Sequence, residues 1–136
     1  MPGDKSNLEP AEIIGLYYKA LYSGDLVSVK ALMTRESYIM TLETFGLRLA
    51  LRDPDFKAKL KKIEEDPAAL EEVEKRLSSD LLSRNLSPDI TIVSVSKNGD
   101  TRETVEYTED GKSKKLYFSK EEEGWKINYY AGRKID

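Results

Sequence analysis

The spacing of apolar residues changes character once along this chain. Up to about residue 85 they recur at intervals of three and four, the period of a helix, and over 89–131 they alternate, the period of a strand. The later stretch predicts four antiparallel strands joined by three short turns. Asn98-Gly99 and Asp110-Gly111 are the dipeptides of two-residue type I′ hairpins, which need positive φ at both central positions. Closing the first sets Ile92 opposite Val105 and Ile90 opposite Tyr107. Closing the second sets Val105 opposite Leu116 and Glu106 opposite Lys115. A four-residue loop over 121–124 sets Phe118 opposite Ile127 and Leu116 opposite Tyr129. The three registers agree in placing Ile90, Ile92, Val105, Tyr107, Leu116, Phe118, Ile127 and Tyr129 on one face, and a slip of one residue in any turn would scatter them. Only the first strand changes phase, between Ile92 and Val93, which sends Val93 and Val95 to the other face beside Tyr117 and Tyr130.

Before the strands, Ser6 and Glu9 have the spacing of a capping box, with Pro10 tolerated in the first helical turn. The helix they open runs to about Tyr22 and is apolar on nearly every side, so the fold should enclose it. Gly24 supplies a left-handed stop. Asp25 caps a second helix with a stripe of Leu26, Val29, Leu32 and Met33. Tyr38, Leu42, Phe45 and Leu49 continue the helical period. Asp53-Pro54 and Asp66-Pro67 each read as a cap followed by a first helical residue. Phe56, Leu60 and Ile63 follow the first of these pairs, and Leu70, Val73, Leu77 and Leu81 the second. The pattern is that of a single α+β domain, with a helical part over 6–85 and an antiparallel meander over 89–131.

A length of 136 residues suffices for a real core. The net charge is −3 with both signs mixed along the chain, so no broad electrostatic partner is implied. The chain has neither Cys nor His, which removes disulfides, thiol nucleophiles, histidine bases and the usual zinc ligands. No stretch approaches the roughly 18 apolar residues of a spanning helix, and the polar start lacks the core of a secretory signal. The expectation is a cytoplasmic protein without membrane attachment, or an extracytoplasmic one whose leader has been removed.

Residues 18–25, Tyr-Lys-Ala-Leu-Tyr-Ser-Gly-Asp, with Leu26 and the Ala31-Leu32-Met33 run, resemble the opening of the nuclear-transport-factor-2-like superfamily. Asp110-Gly111-Lys112 and Glu123-Gly124-Trp125-Lys126-Ile127 are similar to its closing hairpin. The resemblance covers the two ends and points to a divergent bacterial branch whose members have no assigned role. It departs in the middle, where many members place a strand hairpin near 35–55 and this chain reads as helix. It implies a cystatin-like cone, a curved sheet wrapped over the first helix, and a tendency to dimerise through the sheet. The superfamily holds isomerases, dehydratases and binding subunits, so the fold alone does not assign an activity. The Asp–His pairs of its enzymes have no counterpart in a chain without His.

In such a cone, Tyr18, Tyr22, Tyr38, Tyr107, Trp125 and Tyr129 would line the open end, or they would simply fill the core, as most aromatics on a sheet face do. Trp125 is expected to be largely buried against the helices. Glu103 falls opposite Phe118, and Lys114 opposite Tyr107 and Ala131, both facing inward. A charge facing inward either reaches water at an edge or belongs to a site. Lys57, Lys59, Lys61 and Lys62 surround Leu60 as a solvated face with no interleaved aromatics, which argues against nucleic acid. Glu121 to Glu123 read as a solvated loop rather than a metal site. There is no phosphate-binding Gly-rich loop and no nucleophile elbow, so no cofactor is implied.

The leading expectation is a non-catalytic module that binds a small molecule or a partner. Its rival is an isomerase- or dehydratase-like enzyme with a carboxylate base, Glu103 or Asp25, and tyrosine donors. Val93, Val95, Tyr117 and Tyr130 suggest a homodimer through the outer face of the sheet.

Overall fold

The computed structural model describes residues 8–132. Its architecture is α+β: five helices packed against one four-stranded antiparallel sheet whose strands lie in chain order. The helices are α1 (Pro10–Tyr22), α2 (Leu26–Ala31), α3 (Arg35–Arg52), α4 (Pro54–Leu60) and α5 (Pro67–Ser83). The strands are β1 (Ile90–Lys97), β2 (Arg102–Glu109), β3 (Lys112–Glu121) and β4 (Gly124–Ile127).

Each helix starts where local chemistry demands. Ser6 lies outside the described residues, and the cap of α1 is Glu9, whose backbone N–H donates to the Glu12 carboxylate at 3.0 Å. Asp25, Thr34, Asp53 and Asp66 accept the free N–H groups of the following helices. Pro54 and Pro67 sit in first turns, where no N–H is missed. α1 ends in Gly24, at φ +74°. Ile13, Ile14, Tyr17, Ala20 and Leu21 of α1 are buried, whereas Leu16 remains exposed, so the helix is covered over most of its circumference but not all.

The second and third turns pair the strands as their residues dictate. Asp110 (φ 52°) and Gly111 (φ 84°) form the type I′ turn, which sets Val105 across from Leu116 and Glu106 across from Lys115. Phe118 faces Ile127, although the turn is tighter than four residues, since Glu121 already pairs with Gly124. The expected pairing of Leu116 with Tyr129, and with it Lys114 with Ala131, does not form. β4 ends at Ile127, and Tyr129 opens a 3-10 turn whose first N–H donates to Ser37 Oγ at 2.9 Å.

The first turn is the correction. Glycine alone takes a positive φ there, and the Asn98 N–H donates to the Arg102 carbonyl across a wider loop. Lys97 therefore pairs with Glu103 and Val95 with Val105, while Ile92 faces Tyr107 and Ile90 faces Glu109. The ladder changes register between Ile92 and Ser94, leaving Val93 as the extra residue of a bulge. Widening the turn by three residues moves Val95 to the inner face. The bulge gives one residue back, so that Ile90 and Ile92 stay there too. The phase change in the sequence is thus absorbed by the backbone, and Val95 does not join Tyr117 on the outer face.

Buried Val105, Tyr107, Leu116, Phe118 and Ile127 form the inner face, which closes on α1. β4 is sealed along its free edge: Thr34 N–H donates to the Ile127 carbonyl at 2.9 Å, and Ile127 N–H to Leu32 at 2.8 Å. β1 forms the opposite edge of the sheet. The outer face is polar, with Glu106 bridging Ser94 (2.9 Å) and Lys115 (3.8 Å). α3, α4 and α5 pack on one another and reach α1 through α5, forming a layer on the inner side.

Candidate functional site

The eight residues singled out in the sequence do not converge; the fold distributes them among five places. Tyr38 belongs to the helical layer, where its hydroxyl donates to Glu74 of α5 and burial raises its pKa. Tyr22 stacks edge-on against Phe45 of α3, with ring centroids 6.4 Å apart.

Tyr18 and Tyr107 meet under the sheet, with hydroxyls 2.8 Å apart. Tyr18 donates its one proton to Glu109 at 3.1 Å, so its oxygen accepts from Tyr107. Lys114 is half exposed and reaches the same Glu109 at 3.8 Å. Tyr129 forms a second knot, 3.2 Å from the Thr41 hydroxyl and 3.5 Å from Tyr17. Desolvation pushes the hydroxyls of Tyr17, Tyr18 and Tyr107 above the ordinary tyrosine range. The space beneath the middle of the sheet is therefore filled by side chains that satisfy one another.

Glu103 and Trp125 lie at the other end of the inner face, where the β1–β2 turn extends past the start of α1. All four strands contribute one side chain to this end: Lys97 from β1, Glu103 from β2, Lys120 from β3 and Trp125 from β4. Alternation makes this a consequence of register, because Glu103 pairs with Phe118 while Lys120 and Trp125 pair with each other two residues further along. With Gly99, Asp100 and Glu9 they line an open cavity of about 350 Å³.

Its centre is Glu103, only 4% exposed. Its ion pair with Lys97 spans 3.9 Å, too long for a hydrogen bond, and Lys97 is itself mostly in water. Loss of hydration raises the Glu103 carboxyl above its ordinary value of 4.5; Lys97 opposes this, Glu9 adds to it, and Lys120 opposes it. Trp125 is half-buried against the edge of the core, less enclosed than expected, and the Lys120 ammonium stands 5.7 Å from its ring centroid. The arrangement can accept N–H donors at Glu103, stack an apolar group on Trp125 and neutralise an anion at the two lysines.

Lys120 was legible in the sequence, two residues beyond Phe118 on the same face. Lys97 was not, because its position depends on the length of the first turn. Among the described residues no group of three or more carboxylates is placed to hold a metal ion, and no helix is long and apolar enough to cross a membrane.

No protein-family model, no curated protein and no solved structure matches this chain.

Proposed function

We propose that this protein is a binding module, and that it recognises a small molecule in the cavity around Glu103. One observation carries the reading. Glu103 is almost wholly buried, yet its carboxylate oxygens are not sealed in the protein: they open on the cavity, and among the described residues their one ion-pair partner is Lys97 at 3.9 Å, so a ligand there can reach them. The resemblance of the two ends of the chain to nuclear-transport-factor-2-like domains, which include binding subunits, leans the same way. The enzyme reading is weaker on geometry. Tyr107 lies four residues from Glu103 along β2, about 13 Å at the strand's rise per residue, and its hydroxyl is engaged with Tyr18. A base at Glu103 has no tyrosine donor beside it. The test is chemical-shift mapping with mixtures of small amines, carboxylic acids and amino acids. Binders should move the Gly99 and Glu103 amides and the Trp125 indole N–H together; binders that map to the α1 groove lined by Tyr18, Tyr22 and Pro88 would overturn the reading.

A second reading, self-association, rests on β1. This edge strand exposes Ile92 (38%), Val93 (62%) and Val95 (45%), contains no acid and has one cation, Lys97, at its end. A second copy pairing antiparallel on this edge would set apolar residues against apolar ones with no like charges at the centre. Sedimentation velocity of the wild type against Val93→Lys/Val95→Lys tests it. A monomer at tens of micromolar, or a double variant that associates equally well, ends this reading.

A further inference from the structure

The charges around the Glu103 cavity are of both signs. Glu103 forms the inner wall, with Glu9 and Asp100 nearby, while Lys97 and Lys120 flank it from the outer strands. A simple cation would be drawn by Glu103, Glu9 and Asp100 but would leave the two ammonium groups without a partner. A simple anion would find the lysines but would face a desolvated carboxylate. A molecule carrying both charges a few bonds apart satisfies both sets. Trp125 supplies the apolar surface for whatever joins or extends from those charges, since its ring lies beside the lysine and is only partly covered.

We infer that the cavity binds an amino-acid-sized zwitterion, its ammonium donating to Glu103, its carboxylate received by Lys97 and Lys120, and its side chain lying on Trp125. This rests on the binding reading given above and adds the class of ligand. Among the described residues Glu103 has an ion pair with Lys97 at 3.9 Å and no hydrogen bond, which leaves its oxygens open to the N–H groups of an incoming ammonium. Lys97 stands 3.9 Å from Glu103, extends into water and is free to swing toward an incoming carboxylate. The volume of about 350 Å³ holds a single amino acid but not a folded peptide segment.

Trp125 is the protein's one tryptophan, so its fluorescence reports on this cavity alone. The probes are L-leucine, its decarboxylated analogue isopentylamine, and its deaminated analogue 4-methylpentanoate. Leucine should give a saturable change in emission, with each analogue about tenfold weaker or worse. Glu103→Gln should weaken leucine by about tenfold or more while leaving the thermal midpoint unchanged or raised. Lys120→Met should narrow the gap between leucine and isopentylamine, because it removes one of the two lysines that receive the carboxylate. If isopentylamine or 4-methylpentanoate binds as well as leucine to the wild type, the zwitterion assignment is wrong and the cavity remains a binding site. If none of the three perturbs Trp125, both the assignment and the binding reading fall. Undiminished leucine binding by folded Glu103→Gln also overturns the assignment.

Discussion

The hydroxyl of Tyr18 on α1 and that of Tyr107 on β2 lie 2.8 Å apart, and the pair ends on Glu109. This contact joins the first helix to the sheet across 89 residues of sequence, in a region where both rings are otherwise packed in apolar surroundings. Tyr18→Phe keeps the ring and its edge-to-face contact but leaves Tyr107 and Glu109 without their shared partner. A loss of about 1–2 kcal/mol in urea unfolding is expected. Tyr107→Phe removes only the end of the chain of donors, so it should cost less than Tyr18→Phe; the reverse order would show that the proton arrangement is wrong.

Gly24 offers a cleaner test of packing. It combines φ +74° with a close approach, since a Cβ there would lie 2.8 Å from the Ser78 carbonyl oxygen of α5. The Ser78 hydroxyl in turn donates to the Gly24 carbonyl, so the turn and the helix are held together. Gly24→Ala suffers both the left-handed strain and the clash with backbone, and should lose roughly 2–3 kcal/mol. Gly99→Ala meets no neighbouring atom and should lose only the conformational part, about 1 kcal/mol. Equal losses at the two positions would mean that the helix–turn contact is absent in solution.

The pH dependence at Glu103 has a definite sign. Its folded-state pKa is raised above the unfolded value, so the folded protein holds this proton to higher pH than the unfolded chain does. Its contribution to stability is complete below the ordinary value of 4.5 and is lost as pH rises through the raised value. Glu103→Gln mimics the protonated form without titrating. The wild type should therefore lose stability relative to the variant as pH increases across that window and stay level on either side. Asp53 has the opposite sign, because the Phe56 N–H and then Arg76 lower its pKa, which is why the comparison is with the variant rather than along the wild-type curve alone. Lys97, Lys120 and Glu9 face Glu103, the lysines opposing its shift and Glu9 adding to it, and added salt should shrink the effect of the lysines. A wild type that gains on the variant with rising pH would contradict the burial of this carboxylate.

Much of this fold is fixed by short-range chemistry and is readable along the chain. The caps at Asp25, Asp53 and Asp66, the stop at Gly24 and the Asp110-Gly111 turn each depend on residues within four positions of one another. The inner face of β2, β3 and β4 follows from that turn, from the β3–β4 turn and from strict alternation, so Val105, Tyr107, Leu116, Phe118 and Ile127 are where the pattern puts them. The same alternation turned Glu103 inward before any helix was placed over it.

Tertiary structure decided the rest. The β1–β2 turn opens beyond two residues, and Val93 bulges, so that Ile90, Ile92 and Val95 share one face. No local rule chooses between that outcome and a two-residue turn, because the difference lies in what the strand meets across the ladder. The end of β4 was likewise set from a distance, by Ser37 taking the Tyr129 N–H and by Leu32 and Thr34 sealing the edge. The tyrosines scattered for the same reason: Tyr38 and Tyr22 answer to α5 and α3, which the sheet pattern does not contain. The cavity around Glu103 takes one residue from each strand and one from the start of α1, and electrostatic and packing contacts among residues as far apart as Glu9 and Trp125 exist only once the helix lies across the sheet.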